Sequence, residues 1–243
     1  MVILPDLKGR VVIINSDMRG RLAMTPWTQF VAALFLATMV SIGLLAVDDI
    51  INRSFVENYL FINLLLAWVP LGLAFWLQKC LQRKLWSSWE GLILSALWLI
   101  FLPNTFYMIS DFIHLVEVNS QQLLYSAVMF TSFIYTGVLL GFSSLYIIHQ
   151  EFRKRFSVRS TTIAIGLILL SCSFAIYIGR DLRWNTWDIA TDPAGLIFEI
   201  STRLLHPSQY PQVLSVITPF FVLLASMYMV AQRGMTLLKL DKG

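Results

Sequence analysis

The chain has 243 residues, of which 57% are apolar and only 13% charged, and its mean hydropathy is +0.70. Soluble domains carry about 25% charged and about 45–50% apolar residues, so an ordinary water-soluble fold is excluded. The net charge of +4 comes from basic residues spread over short connections. That pattern reports membrane topology and not a nucleic-acid surface, and no nucleic-acid partner is expected.

Residues 1–26 are mixed and basic and lack an apolar core followed by a small-residue cleavage site. The first apolar run therefore reads as an uncleaved signal anchor, and the segment before it as a cytoplasmic stretch that packs or frays. Six runs approach the ~20 residues a bilayer demands: Trp27–Val47, Tyr59–Leu77, Gly91–Ser110, Leu123–Ile148, Ser160–Ile178 and Pro211–Ala231. None alternates, and an open sheet edge does not survive in lipid, so all six are predicted helices. The expected fold is an all-α polytopic membrane bundle. It has a six-helix transmembrane domain over 27–232, one outer interfacial amphipathic helix and a cytoplasmic tail over 233–243.

Charges in the connections orient the bundle. Lys8, Arg10, Arg19 and Arg21 precede the first run, and Lys79, Arg83 and Lys84 follow the second. Arg153, Lys154, Arg155 and Arg159 follow the fourth, and Arg233, Lys239 and Lys242 follow the sixth. Only Arg53, Arg180, Arg183 and Arg203 lie in the other connections. The positive-inside rule then puts both termini in the cytoplasm. Trp86 and Trp89 suit the inner aromatic belt, and Trp184 and Trp187 the outer one. Cys80 and Cys172 lie at different depths, so no disulfide is expected.

The third run carries Asn104, Tyr107, Asp111 and His114. At 100° per residue they fall within an arc of roughly 80° on one helix face. Polar side chains stacked on an apolar helix should face the bundle and not lipid. Pro103 removes a backbone donor just before them and should kink or break the helix.

The fifth run ends in Gly179-Arg-Asp-Leu-Arg-Trp-Asn-Thr-Trp-Asp188. Charged groups at a membrane boundary mark a candidate functional site, and this cluster should meet the one on the third run. Were the helix to continue, Arg180, Arg183, Trp184 and Trp187 would share one face and Asp181, Asn185 and Asp188 another. The first face could hold an anion in a guanidinium fork against indole rings. Beyond it, Asp192-Pro193 is a helix start. Leu196, Ile197, Ile200 and Leu204 then recur on one side, with Glu199, Thr202 and Arg203 off it, as in a helix lying in the outer interface.

Several chemistries fit these residues. Binding of an anionic small molecule or lipid headgroup would use Asn104, Tyr107, Asp111, His114, Arg180, Arg183, Trp184, Asn185, Trp187 and Asp188, with membrane lipids as the surrounding partner. A metal-dependent hydrolase or transferase acting on a lipid-linked substrate would hold a divalent metal such as zinc with Asp111, His114, Asp188 and His206. Ser110 and His114, four apart, could form a serine pair with Asp188 as the acid, although no nucleophile elbow surrounds Ser110. A transporter would want charges at mid-bilayer and an inverted repeat, neither of which is apparent. In a scaffold protein, Asp111 would pair with Arg180 or Arg183 and lock two helices together.

The motifs Leu102-Pro-Asn-Thr-Phe-Tyr107 with Asp111-Phe-Ile-His114, followed by Gly179-Arg-Asp-Leu-Arg-Trp-Asn-Thr-Trp-Asp188, resemble a family of bacterial multi-pass membrane proteins of unknown function. The similarity covers most of the chain from the first span onward. It implies a bacterial plasma-membrane protein and assigns no reaction.

Overall fold

A computed structural model describes residues 2–5, 11–14, 26–52, 56–118, 121–182, 184, 191–206 and 209–240. Each apolar run becomes helix, because in lipid a backbone group must find its partner within its own segment. The helices are α1 (Pro26–Asn52), α2 (Tyr59–Leu81), α3 (Trp89–Phe101), α4 (Pro103–Tyr107), α5 (Leu123–Arg153), α6 (Val158–Asp181), α7 (Pro193–Leu205) and α8 (Gln212–Leu240). A 3-10 turn, Val56–Asn58, precedes α2, and a 3-10 helix, Met108–Glu117, follows α4. Six segments are long and apolar enough to cross a membrane, the third being α3, α4 and the 3-10 helix taken together over Trp89–Val116. The molecule is a multi-pass membrane helical bundle.

Two details differ from the sequence expectation. The N-terminal segment contains an antiparallel ribbon of β1 (Val2–Pro5) and β2 (Val11–Ile14), with Val2 opposite Ile14. Its Val-Ile and Val-Val-Ile-Ile runs are strand-forming by β-branching. The last helix continues to Leu240, through the start of the expected tail.

The long α5 is the centre of the bundle, packed against α2 and α1, while α6 packs against α8. Leu60, Leu64, Phe106, Met129, Phe130, Phe133 and Leu140 are all fully buried around it. Helices in lipid gain little from apolar burial against one another, so small residues and hydrogen bonds hold them. Ser144 on α5 receives the Trp98 indole N–H at 2.7 Å and donates to the Pro70 carbonyl at 2.9 Å, joining α3, α5 and α2. Trp68 donates to Thr38 at 3.1 Å, tying α2 to α1.

Helix starts follow their caps. Ser88 accepts from Gly91 N, Ser157 from Ser160 N, and Asp192 from Gly195 N with Pro193 in the first turn. At the α5 C-terminal end, the buried Glu151 is held by Lys154 at 2.5 Å and Arg155 at 2.7 Å. Arg155 also covers the Trp86 ring at 5.4 Å, and that ring stacks on Phe152. Cys80 and Cys172 are buried and unpaired.

Candidate functional site

The third span breaks where its proline requires. The helix is interrupted at Leu102, and Pro103 opens α4 in its first turn, where a missing N–H costs nothing. The short α4 then seats on two glycines of α5. A Cβ at Gly137 would come within 2.7 Å of the Thr105 carbonyl, and one at Gly141 within 2.7 Å of the Phe106 ring. This is the close backbone approach that small residues four apart allow between membrane helices.

From Met108 the chain tightens to 3-10 geometry. With three residues per turn, Asp111 and His114 eclipse one another on a single edge. The stripe expected from α-helical spacing is therefore split. Asn104 and Tyr107 lie half-buried on α4, while Asp111 and His114 lie on the 3-10 helix. Phe112, Ile113 and Val116 are exposed, as lipid-facing side chains would be.

The last turn of α6 meets this edge. A Cβ at Gly179 would fall 2.9 Å from the Tyr107 ring, so the ring packs directly against the glycine. Arg180 Nη1 is 3.7 Å from Asp111 Oδ1, and its Nη1 and Nη2 are each 3.4 Å from His114 Nε2. A guanidinium has only donors, so Nε2 presents its lone pair to Arg180. Gly179 and Arg180, which open the second polar segment, thus meet the first at one end of the bundle.

Two residues from the start of α2 complete the cluster. The Tyr59 ring lies 5.6 Å from that of His114, and Asn63 stands beside Asp111. Asp111 is only 1% exposed, yet neither of its oxygens receives a hydrogen bond of ordinary geometry, and the Tyr59 hydroxyl is buried without one. The spacing of Tyr59 and Asn63, one helical turn apart on an apolar run, is the signal that could have found them. Next to them, the Glu57 carboxyl is pushed up to about 7 by burial and then by the neighbouring carboxylates of Asp48, which also hydrogen-bonds it, and Asp49.

A separate latch holds α7. The Trp184 indole donates to Glu199 Oε2 at 2.7 Å, and Arg203 donates to Glu199 Oε1 at 2.9 Å and to the Tyr177 hydroxyl at 3.0 Å. Arg203 also covers the Tyr210 ring at 4.9 Å. Trp184 and Arg203 therefore hold the Glu199 carboxyl below its usual range. The polar side of α7 faces protein, while Ile197, Phe198 and Leu205 are exposed.

Some expectations need correction. Helix α6 stops at Asp181, and Trp184 N turns back to the Ile178 carbonyl. Arg180 and Trp184 therefore share no helix face, and the indole N–H is taken by Glu199. Among the described residues no three His, Cys, Asp or Glu side chains gather to hold an ion, and Asp188 of the expected metal set lies outside them. His206 is exposed at the end of α7 with Nδ1 facing the Thr202 carbonyl at 3.0 Å, and His114 Nε2 already faces a guanidinium. Ser110 donates to the Tyr107 carbonyl at 2.7 Å. Arg183, Asn185, Trp187 and Asp188 lie outside the described residues.

A family model described as a protein of unknown function (DUF1361) matches residues 62–227. The chain belongs to the DUF1361 family. In this DUF1361 member the matched stretch takes in Asn63, the third-span cluster, the Gly179–Asp188 segment and α7, and starts just after Tyr59. No curated protein and no solved structure matches the chain.

Proposed function

We propose that this DUF1361 member sits in a bacterial inner membrane with both termini cytoplasmic, and that its polar pocket opens at the extracytoplasmic rim to bind an anionic small molecule or lipid headgroup. The alternation of basic connections supports the orientation. The observation that carries the binding reading is Arg180, 24% exposed and oriented by Asp111 and His114 without being saturated by either. A guanidinium has five N–H donors in a fixed fork, so its open side can take an anion. Asn104 and Tyr107 would support it from α4. The test is Arg180→Lys, which keeps the charge and loses the fork. Retention of phospholipid by the purified protein should fall by about tenfold, the worth of one charge-assisted hydrogen bond. Unchanged retention would refute the reading.

The Asp111–Arg180 pair also supports a second reading, in which the cluster only locks the third span to the fifth. Replacing both partners at once, with Asp111→Leu and Arg180→Met, separates the two. A buried pair exchanged for apolar residues of similar volume is often neutral or stabilising. A lock would keep both fold and function, whereas a binding site would keep the fold and lose its lipid.

A further inference from the structure

We propose that the bound group carries hydrogen-bond donors beside its phosphate, so that the pocket selects a phospholipid headgroup bearing an ammonium or hydroxyl and discriminates against one without N–H or O–H. This rests on the anion-binding reading and adds the part of the ligand that the arginine cannot recognise.

The argument is an inventory of oxygens. At the end of the bundle where Arg180 sits, Asp49 Oδ1, Glu57 Oε2 and the Tyr59 hydroxyl are buried with no hydrogen-bond partner among the described residues, and the two oxygens of Asp111 have only the Asn63 amide beside them, short of a hydrogen bond of ordinary geometry. Tyr59 links the two groups, being in ring contact with His114 and within electrostatic reach of both Asp111 and Glu57. A buried acceptor left unmade costs its full desolvation, and more when it is a carboxylate. Among the described residues the nearest cation to Asp111 is Arg180, at 3.7 Å, beyond hydrogen-bond distance. Apart from the Asn63 amide, no donor among the described residues serves these oxygens, and a bare phosphate brings none. An ammonium suits them best, because charge-assisted bonds to carboxylates are roughly twice as strong as neutral ones.

The surroundings favour a lipid over a free solute. The 3-10 helix bearing Asp111 exposes Ile113 and Val116 at 57% and 86%, and the neighbouring α7 exposes Ile197 and Phe198. A headgroup entering from the bilayer would leave its chains against such residues.

The experiment compares phosphatidylethanolamine, phosphatidylglycerol and phosphatidylcholine, each mixed equally into otherwise identical nanodiscs, with retained lipid counted by native mass spectrometry. Methylation of the ammonium removes every N–H while leaving the phosphate and the positive charge. Phosphatidylethanolamine should be retained about tenfold over phosphatidylcholine, the loss of one charge-assisted hydrogen bond, with phosphatidylglycerol between them. Asp111→Asn should bring the ratio close to one, and Tyr59→Phe, which keeps the ring, should lower it if the Asn variant does not fold. Equal retention of ethanolamine and choline lipids with Arg180 still required would overturn this proposal and leave anion binding standing, with water serving the five oxygens. No effect of Arg180→Lys on any of the three would overturn both. Displacement by soluble glycerophosphoethanolamine as effectively as by the intact lipid would overturn the lipid assignment and keep the donor chemistry.

Discussion

Replacing Gly179 with valine puts the convergence of the two polar segments to a quantitative test. A Cβ at this position falls 2.9 Å from Tyr107 Cε2 and 3.4 Å from Cδ2, with the Trp184 carbonyl at 3.6 Å. Carbon atoms in contact prefer about 3.5–4.0 Å, so the tyrosine ring has to retreat by roughly 0.6 Å or more. Alanine alone would gain up to about 1 kcal/mol of helix propensity over glycine, less in a last turn, and this would offset much of the clash. Valine adds two methyl groups and little propensity, and overpacking of that kind costs about 1–3 kcal/mol.

Tyr107→Ala removes the obstacle and leaves a cavity, at about 2–4 kcal/mol for a half-buried aromatic ring. In the double variant the valine occupies space the ring has left. The combined cost should fall short of the sum of the single costs by about 1–2 kcal/mol, as for residues in direct contact. Denaturant unfolding in detergent micelles, run on the wild type, both single variants and the double, gives the coupling. Additivity within about 0.5 kcal/mol would mean that Tyr107 and Gly179 do not touch, and the proposed pocket would go with that contact.

Two further outcomes follow from the carboxylates outside the spans. Folded Glu57 keeps its proton up to about pH 7, whereas the unfolded chain releases it near 4.5, so folding binds a proton between those values and stability falls as pH rises from about 4.5 to about 7. Glu57→Gln should flatten that slope in melting curves taken across the same window, and an unchanged slope would refute the assignment. Trp184→Phe removes the indole donor to Glu199 and should weaken the α7 latch by about 1 kcal/mol, speeding maleimide labelling of a cysteine placed at Ser201, since both native cysteines are buried. Because the Glu199 carboxyl is depressed by Trp184 and Arg203, the latch should also loosen as pH falls below the ordinary glutamate range. Labelling indifferent to both changes would show that α7 is held by something else.

Run length alone made the six spans legible, since a helix is the only single segment that satisfies its own backbone in lipid. Asp192-Pro193 and Pro103 were equally readable, because a cap and a missing N–H act locally. The rest depended on information that periodicity does not carry. Asp111 and His114 were placed on the right edge for a different reason than α-helical spacing, because beyond Met108 the chain winds at three residues per turn. Tyr59 and Asn63 escaped notice because two polar residues in an apolar run carry little weight until the partner helix is known. The two sides of α7 were legible as well: Ile197 and Phe198 turn outward while Glu199 and Arg203 turn in, as the split of an interfacial helix into an apolar and a polar side implies.

The same chain shows what its ion pairs look like when holding structure is their task. Glu151 and Arg155 close to 2.7 Å, and Glu199 and Arg203 to 2.9 Å, within the range of strong charge-assisted bonds. Asp111 is as buried as Glu151, yet it stops at 3.7 Å from Arg180, and among the described residues its oxygens have only the Asn63 amide beside them. A pair this loose returns little of its desolvation cost, and two apolar side chains would bind α6 to the third span more tightly. A guanidinium held at arm's length from a buried carboxylate, with a histidine ring nitrogen facing the same edge, is poorly arranged for locking helices. It is well arranged to leave N–H groups and carboxylate oxygens for a third party, and this contrast within one molecule weighs toward a ligand over a lock.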